Sequence, residues 1–146
     1  MINIDYPKVD FRLRKQEELE QIFDPFRKLW VRLTPEEWVR QNFLQYLSQV
    51  MSYPDKLIAI EREIQLGERR KRFDILVFDQ EHQPWLMVEC KAAEVELSKE
   101  VLEQILRYNA ALPVNILVIT NGANTFAWEK SGNSLRVLET LPSLGR

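Results

Sequence analysis

Two apolar stretches of the chain end in residues that could do acid, base or metal chemistry. One reads Arg72-Phe73-Asp74-Ile75-Leu76-Val77-Phe78 and the other Trp85-Leu86-Met87-Val88-Glu89-Cys90-Lys91. Segments this apolar belong in a core, so the ionisable groups at their ends call for a reason. Side chains alternate along a strand, which puts Glu89 and Lys91 on one face and Cys90 on the other. In an antiparallel hairpin, Asp74 at the start of one strand lies beside the end of the other, and two carboxylates meet one ammonium. Such a set suits a hard divalent cation, Mg2+ with Mn2+ as a substitute, which takes carboxylate oxygens, a main-chain carbonyl and waters. Asp74, Glu89 and the Cys90 carbonyl would be the protein ligands. Lys91 would orient or deprotonate a water and offset charge on an attacked phosphate, which is the chemistry of phosphodiester hydrolysis. The same residues also fit a plain ion pair at a strand end, with Lys91 neutralising Asp74 and Glu89.

Other candidates surround this pair. Gln104 and Tyr108 stand four residues apart on one helical face, where an amide and a phenol could hold a phosphate or simply flank a helix. Glu37 follows Thr34 by three residues, the spacing of a capping box. Glu36 is then the freer carboxylate, spaced to pair with Arg40. Glu61 and Glu63 share a strand face that could approach Asp74. The run Arg69-Arg70-Lys71-Arg72 could grip a phosphate backbone or form a solvated loop. His82, the only histidine, sits in a polar loop without a partner, and Cys90 reads as a buried core thiol.

The elements that must position these groups can be read from periodicity and breakers. Strands are expected over Val9–Arg14, Leu19–Phe23 and Lys28–Leu33, the last two joined by an Asp24-Pro25 type I turn. A helix starts after Thr34, with Pro35 at its first position, Glu36 and Glu37 in its first turn, and Trp38, Phe43, Leu44, Leu47 and Val50 as its apolar residues. A β segment runs from Leu57 to Leu66, then the hairpin of Phe73–Phe78 and Trp85–Cys90. Ser98 caps a helix from Lys99 to about Ala111. Strands at Asn115–Thr120, Thr125–Trp128 and Leu135–Leu138 complete an α/β fold, a mixed sheet flanked by helices with an N-terminal β-meander.

Composition narrows the function. The 146 residues carry 20 Lys+Arg against 22 Asp+Glu and one cysteine, which describes one soluble domain without a disulfide framework. The slight net negative charge means that any nucleic-acid contact must come from a local basic patch. MINIDYPKVD lacks the layout of a signal peptide, and no apolar run reaches the roughly 18 residues of a membrane span, so a cytoplasmic protein without membrane contact is expected. No GxxxxGK[ST] loop occurs, which argues against an ATP-driven motor in this chain.

Taken together, Asp74, the 14 residues that follow it and Glu89-Cys90-Lys91 resemble the motif of the PD-(D/E)xK nuclease superfamily, with Phe73 where the superfamily name has Pro. More narrowly, the chain resembles the N-terminal nuclease domain of type I restriction enzyme R (HsdR) subunits. That likeness rests on Pro35-Glu36-Glu37-Trp38-Val39-Arg40-Gln41, Arg72-Phe73-Asp74-Ile75, Val88-Glu89-Cys90-Lys91-Ala92, Gln104-Ile105-Leu106-Arg107-Tyr108 and Thr120-Asn121-Gly122. It covers residues 34 to 130 of a single domain and leaves residues 1 to 33 as a β extension. The resemblance implies a restriction-endonuclease-like fold and a magnesium-dependent DNA endonuclease. It implies metal binding by Asp74 and Glu89, assistance from Lys91, support or DNA contact from Gln104 and Tyr108, and a further ligand from Glu36. Motor or specificity subunits would act in trans, and a homodimer could cut both strands. The alternative is a non-cleaving nucleic-acid-binding or accessory module of a larger restriction or repair complex.

Overall fold

The computed structural model describes residues 1–144. The expected meander is a three-stranded antiparallel sheet, β1 (Leu13–Gln16), β2 (Leu19–Asp24) and β3 (Leu29–Arg32). Its first strand begins later than Val9, because every residue of β1 is exposed and no apolar alternation marks its start. The turn between β2 and β3 is built by Asp24, whose Oδ1 accepts from the backbone N–H of Phe26 (2.7 Å) and Arg27 (3.0 Å). Lys28 leaves that turn with φ +58°.

Helix α1 (Pro35–Gln45) starts where expected. Thr34 is extended, and its Oγ1 accepts from the Glu37 N–H at 3.0 Å, satisfying a donor that the helix itself leaves open. The helix continues through a wider π-type turn over Tyr46–Val50 and stops before Ser52, whose φ is +59°. Val39, Phe43, Leu44 and Leu47 are its buried face. Trp38 and Val50 are exposed instead, and Trp38 packs edge-on against Phe11 with ring centroids 5.1 Å apart.

The main sheet has six strands in sequential order: β4 (Ile58–Leu66), β5 (Arg69–Phe78), β6 (Pro84–Cys90), β7 (Ile116–Thr120), β8 (Thr125–Ser131) and β9 (Ser134–Leu138). Only β6 and β7 are parallel, as the crossover through α2 (Lys99–Asn109) requires. The expected loop at Arg69–Arg72 is in fact strand. These charges are tolerated because the β4/β5 hairpin projects beyond the core and its Gln65–Arg70 end is exposed.

The two faces of the sheet are covered separately. Ile75, Val77, Val88 and Cys90 pack under α1 with Phe43 and Leu47. Phe73, Leu76, Met87 and Leu117 face the other way, against Leu106 of α2. Phe73 and Ile75 should share a face by alternation, yet they pack on opposite sides. The same reversal separates Ile60 from Ile64 on β4. Both breaks fall at one rung, where Glu61 takes φ +51° beside Asp74. The register is otherwise preserved, Ile60 pairing with Ile75 and Arg62 with Phe73.

Removing the α1 cap by Thr34→Ala leaves the Glu37 N–H without its acceptor. The expected cost is about 1 kcal/mol, read as a fall of roughly 2 to 4 °C in the melting temperature.

Candidate functional site

The site lies where β5 parts from β6. Their pairing begins at Ile75 with Val88, so the Cys90 N–H has no β5 carbonyl opposite it. The side chain of Asp74 fills that role, its Oδ2 accepting from the Cys90 N–H at 2.8 Å. On its other edge, β6 continues in parallel pairing to Cys90 with Thr120, and the Lys91 N–H reaches the Thr120 carbonyl at 2.8 Å. The strands thus fork, and a small cleft of about 200 Å³ opens in the fork. Asp74, Glu89, Lys91, Glu36 and Cys90 all line it, together with Lys71.

Each group has a defined setting. Glu89 Oε2 is 3.3 Å from Lys91 Nζ, and its Oε1 is 3.5 Å from Asn109 Nδ2. Cys90 is 1% exposed within the core, and burial holds its thiol in the protonated form, well above the ordinary range. What Cys90 can offer the cleft is therefore its main chain. Asp74 is raised above the ordinary carboxyl value, by burial first; the Cys90 N–H and the Arg40 guanidinium pull the other way, and Glu89 adds to the rise. Glu36 is raised by partial desolvation and then by the Asp74 charge. Among the described residues, no three His, Cys, Asp or Glu side chains stand close enough to cage a metal by themselves. The available hard donors are carboxylate oxygens and main chain.

A second hollow, about 390 Å³, adjoins this cleft and shares Lys71, Glu89 and Lys91 with it. Gln104 and Tyr108 line its α2 wall. Tyr108 is largely exposed, and Lys71 Nζ lies 5.5 Å from its ring centroid. The Thr120-Asn121-Gly122 segment supports the far side. Asn121 is buried and donates from Nδ2 to the Val95 carbonyl at 2.9 Å, tying down the loop that follows Lys91. Gly122, at φ +94°, presents its carbonyl to the Tyr6 hydroxyl at 2.9 Å.

Several expectations on the first helix and β4 need correction. Glu36 does not pair with Arg40, and the Glu37 carboxylate does not return to cap the helix. Glu37 is buried and binds Arg40 Nη2 at 2.7 Å, Gln41 Nε2 at 2.9 Å and Arg27 Nη2 at 3.1 Å. Glu61 turns away from Asp74 to Arg27 at 2.6 Å and Arg72 at 3.8 Å, because its left-handed backbone re-aims the side chain. Glu63 is exposed opposite Arg72, and neither glutamate lines the cleft.

Sequence reasoning also missed Arg27 and Asn109, gave Arg40 another partner, and named Lys71 only as part of the basic run. Arg40 is buried between Glu37 and Asp74, its Nη1 3.5 Å from Asp74 Oδ1. Arg27 bridges Asp24, Glu37 and Glu61. Lys71 enters both hollows. Asn109 is buried, held by a 2.8 Å bond from Nδ2 to the Ile105 carbonyl. For Arg40 a signal existed: Glu37, Arg40, Gln41 and Leu44 share one helical face at the spacing of core positions. Polar residues there mean a buried network.

Burial alone would push the Glu37 carboxyl up, but hydrogen bonds from Arg40 and Gln41 and the nearby guanidinium charges hold it below its ordinary 4.5. A carboxyl depressed in the folded state stabilises fully above that ordinary value and loses its contribution as pH falls through the folded one. Glu37→Gln should cost roughly 3 kcal/mol near pH 7, since it leaves buried guanidinium charge unpaired. Urea melts of both proteins across pH should show the gap narrowing on the acid side as the parent's own Glu37 takes up its proton.

Sequence comparison adds one match. A family model described as the type I restriction enzyme R protein N terminus covers residues 35–142. No curated protein matches the chain. The family match begins at the first residue of α1 and includes both hollows, and it leaves out the β-meander.

Proposed function

The chain belongs to the family of type I restriction enzyme R protein N termini, and from that premise we propose that it is a magnesium-dependent DNA endonuclease whose centre is the cleft at the β5/β6 fork. The observation that supports this reading is the convergence of Asp74, Glu89 and Lys91 on one polar cleft, with Glu36 at its edge. Structural ion pairs at strand ends do not ordinarily leave a carboxylate raised. Here both Asp74 and Glu36 are raised, so added positive charge would favour their ionised forms.

The donor set fits a hard cation. Magnesium is commonly held by one or two carboxylates with waters and substrate phosphate filling the rest of its shell. Asp74 and Glu89 would hold it with the Cys90 carbonyl, and Glu36 would approach from α1. Manganese would serve in its place, sharing the preference for carboxylate and water oxygen. When bound, the ion polarises a phosphate oxygen and acidifies a neighbouring water.

The protein's own groups do the positioning. The Cys90 N–H fixes Asp74, and Lys91 and Asn109 hold the two oxygens of Glu89. Lys91 carries three donors and spends one on Glu89, leaving the others to orient the attacking water and to offset charge on the phosphate. Gln104 and Tyr108, on the wall of the adjoining hollow, would hold the DNA strand beside the cleft. Other subunits of a restriction system would supply translocation and specificity.

Asp74→Asn and Lys91→Met should each lower plasmid cleavage in magnesium by at least ~100-fold. Asp74→Asn should also abolish the heat of magnesium binding in titration calorimetry. A raised carboxyl stabilises the fold while protonated, and that contribution is lost as pH climbs from the unfolded value through the folded one. Asp74→Asn should therefore melt at or above the parent temperature near pH 7, and the advantage should vanish on the acid side. Cleavage retained in both variants overturns the site assignment. Magnesium binding without cleavage by the parent would point to the accessory module.

A further inference from the structure

The β-meander lies outside the matched family region and contributes no residue to either hollow. Its inner face is accounted for: Ile22 is fully buried, and Asp24 is tied to Arg27 and Gln41. The outer face has a distinct character. Register places Arg14, Gln21 and Arg32 in one cross-strand row. The next row is Phe23 beside Trp30, with Arg12 alongside, since the Arg12 carbonyl accepts from the Phe23 N–H at 2.9 Å.

These two rows form an arginine layer over an aromatic floor. Arg12 lies 4.6 Å from the Phe23 ring centroid and 5.3 Å from that of Trp30, and Arg14 lies 4.3 Å from Trp30. Phe23 and Trp30 meet edge-on at 5.5 Å. All three arginines are exposed, and none has a carboxylate partner among the described residues. The acidic residues of the strands lie elsewhere. Glu20 pairs in register with Lys15 on the opposite face, and Asp24 is buried.

We propose that this outer face of the meander is a docking surface for the phosphate backbone of DNA. A guanidinium laid over an aromatic ring has its plane fixed, so little rotamer entropy remains to be lost when a phosphate arrives. Arg14 is further held by its Nε–H, which donates to Gln21 Oε1 at 2.6 Å and leaves its Nη groups for the phosphate. Arg12 and Arg14 over their rings, with Arg32 in the same row as Arg14, set three guanidinium groups on one sheet to meet a regularly spaced polyanion. The chain as a whole carries net charge −2, so its global field does not concentrate DNA, and a segregated basic face supplies what the rest of the surface lacks. Arg27 fixes this face relative to the cleft by bonding Glu37 of α1 and Glu61 of β4. The inference rests on DNA being the substrate and is independent of the metal assignment.

The test is binding of the 146-residue chain to a fluorescent DNA duplex in chelator, across a salt series, against the triple variant R12Q/R14Q/R32Q. Glutamine keeps part of the Arg12 and Arg14 stems over the rings, and a melting curve of the variant checks its fold. Loss of three phosphate contacts should weaken binding at least ~10-fold at low salt and flatten the slope of log K against log salt by roughly 2 to 3 units. Arg14→Lys alone should restore more than Arg14→Gln. Equal affinity and slope in parent and folded triple variant overturn the surface, and plasmid cleavage by that variant then shows the proposed nuclease unaffected. If the variant instead loses a concentration-dependent dimer and keeps its DNA affinity, the face belongs to a second copy of the chain and the proposal fails. A parent that binds no duplex also overturns it, with calorimetry on magnesium reporting separately on the cleft.

Discussion

The Arg40 guanidinium, buried under α1, is the interaction on which the arrangement of the rest depends. Removing it from water is costly, and the cost is offset chiefly by Glu37, which meets it at 2.7 Å, with Asp74 farther off at 3.5 Å. Glu37 in turn binds Arg27, and Arg27 reaches back to Asp24 and out to Glu61. One chain of alternating charges therefore runs from the meander through the first helix to β4 and β5, the second of which forms one side of the cleft. Apolar packing would hold α1 on the sheet over a range of small shifts. Paired buried charges tolerate few of them, since a guanidinium moved off its carboxylates is left uncompensated. The helix is thereby held at one height, and Glu36 at its first turn is held at the edge of the cleft.

The fork between β5 and β6 follows from a second local constraint. A sheet whose strands diverge exposes unpaired main-chain donors, which a folded chain cannot leave dry and unmet. Asp74 resolves this by accepting from the Cys90 N–H with its side chain. The reversal of faces at Glu61 and Asp74 turns the β4/β5 hairpin, so that Phe73 packs toward α2 while Ile75 packs toward α1. That turn brings Lys71 into line with Glu89 and Lys91 along the cleft. The left-handed backbone of Glu61 is the kind of strain that persists only where surroundings over-determine it, here through the bonds to Arg27 and Arg72.

What the sequence made legible, and what it concealed, divides along physical lines. The hairpin carrying Asp74 and Glu89 was readable because two apolar runs flank a polar hexapeptide, and the capped starts of both helices were readable from Thr34-Pro35 and Ser98. Alternation alone placed Glu89 and Lys91 on one face. The partners of Glu37 were not readable, because its spacing from Thr34 has a local explanation while Arg27 comes from another element. The Arg69–Arg72 run looked like a loop since four cations rarely occupy a strand, and only the projection of the β4/β5 hairpin into solvent makes that possible. The first strand of the meander was misplaced because its residues are all exposed and its register comes from β2. Asn109 could not be found by any motif, since its role depends on α2 lying over Glu89.

The unequal reach of Arg40 connects the scaffold to the chemistry. Had the guanidinium been centred on Asp74, it would have held that carboxylate firmly in its charged form. It sits instead closer to Glu37, which is depressed below its ordinary range, while Asp74 stays raised. Asp74 and Glu36 are raised first by burial, and the nearby Arg40 and Lys91 charges pull them back only in part. Lys91, whose ammonium lies 3.3 Å from Glu89, lowers Asp74 without returning it to the ordinary carboxyl value. The three carboxylates Glu36, Asp74 and Glu89 therefore line one small polar space with the Arg40 guanidinium 3.5 Å from Asp74 and the Lys91 ammonium 3.3 Å from Glu89, beside the Lys71 that also lines the neighbouring hollow. The charges that fix the helix thus belong to one part of this network and the cleft carboxylates to another, so a change of charge at the cleft leaves the seat of the helix in place.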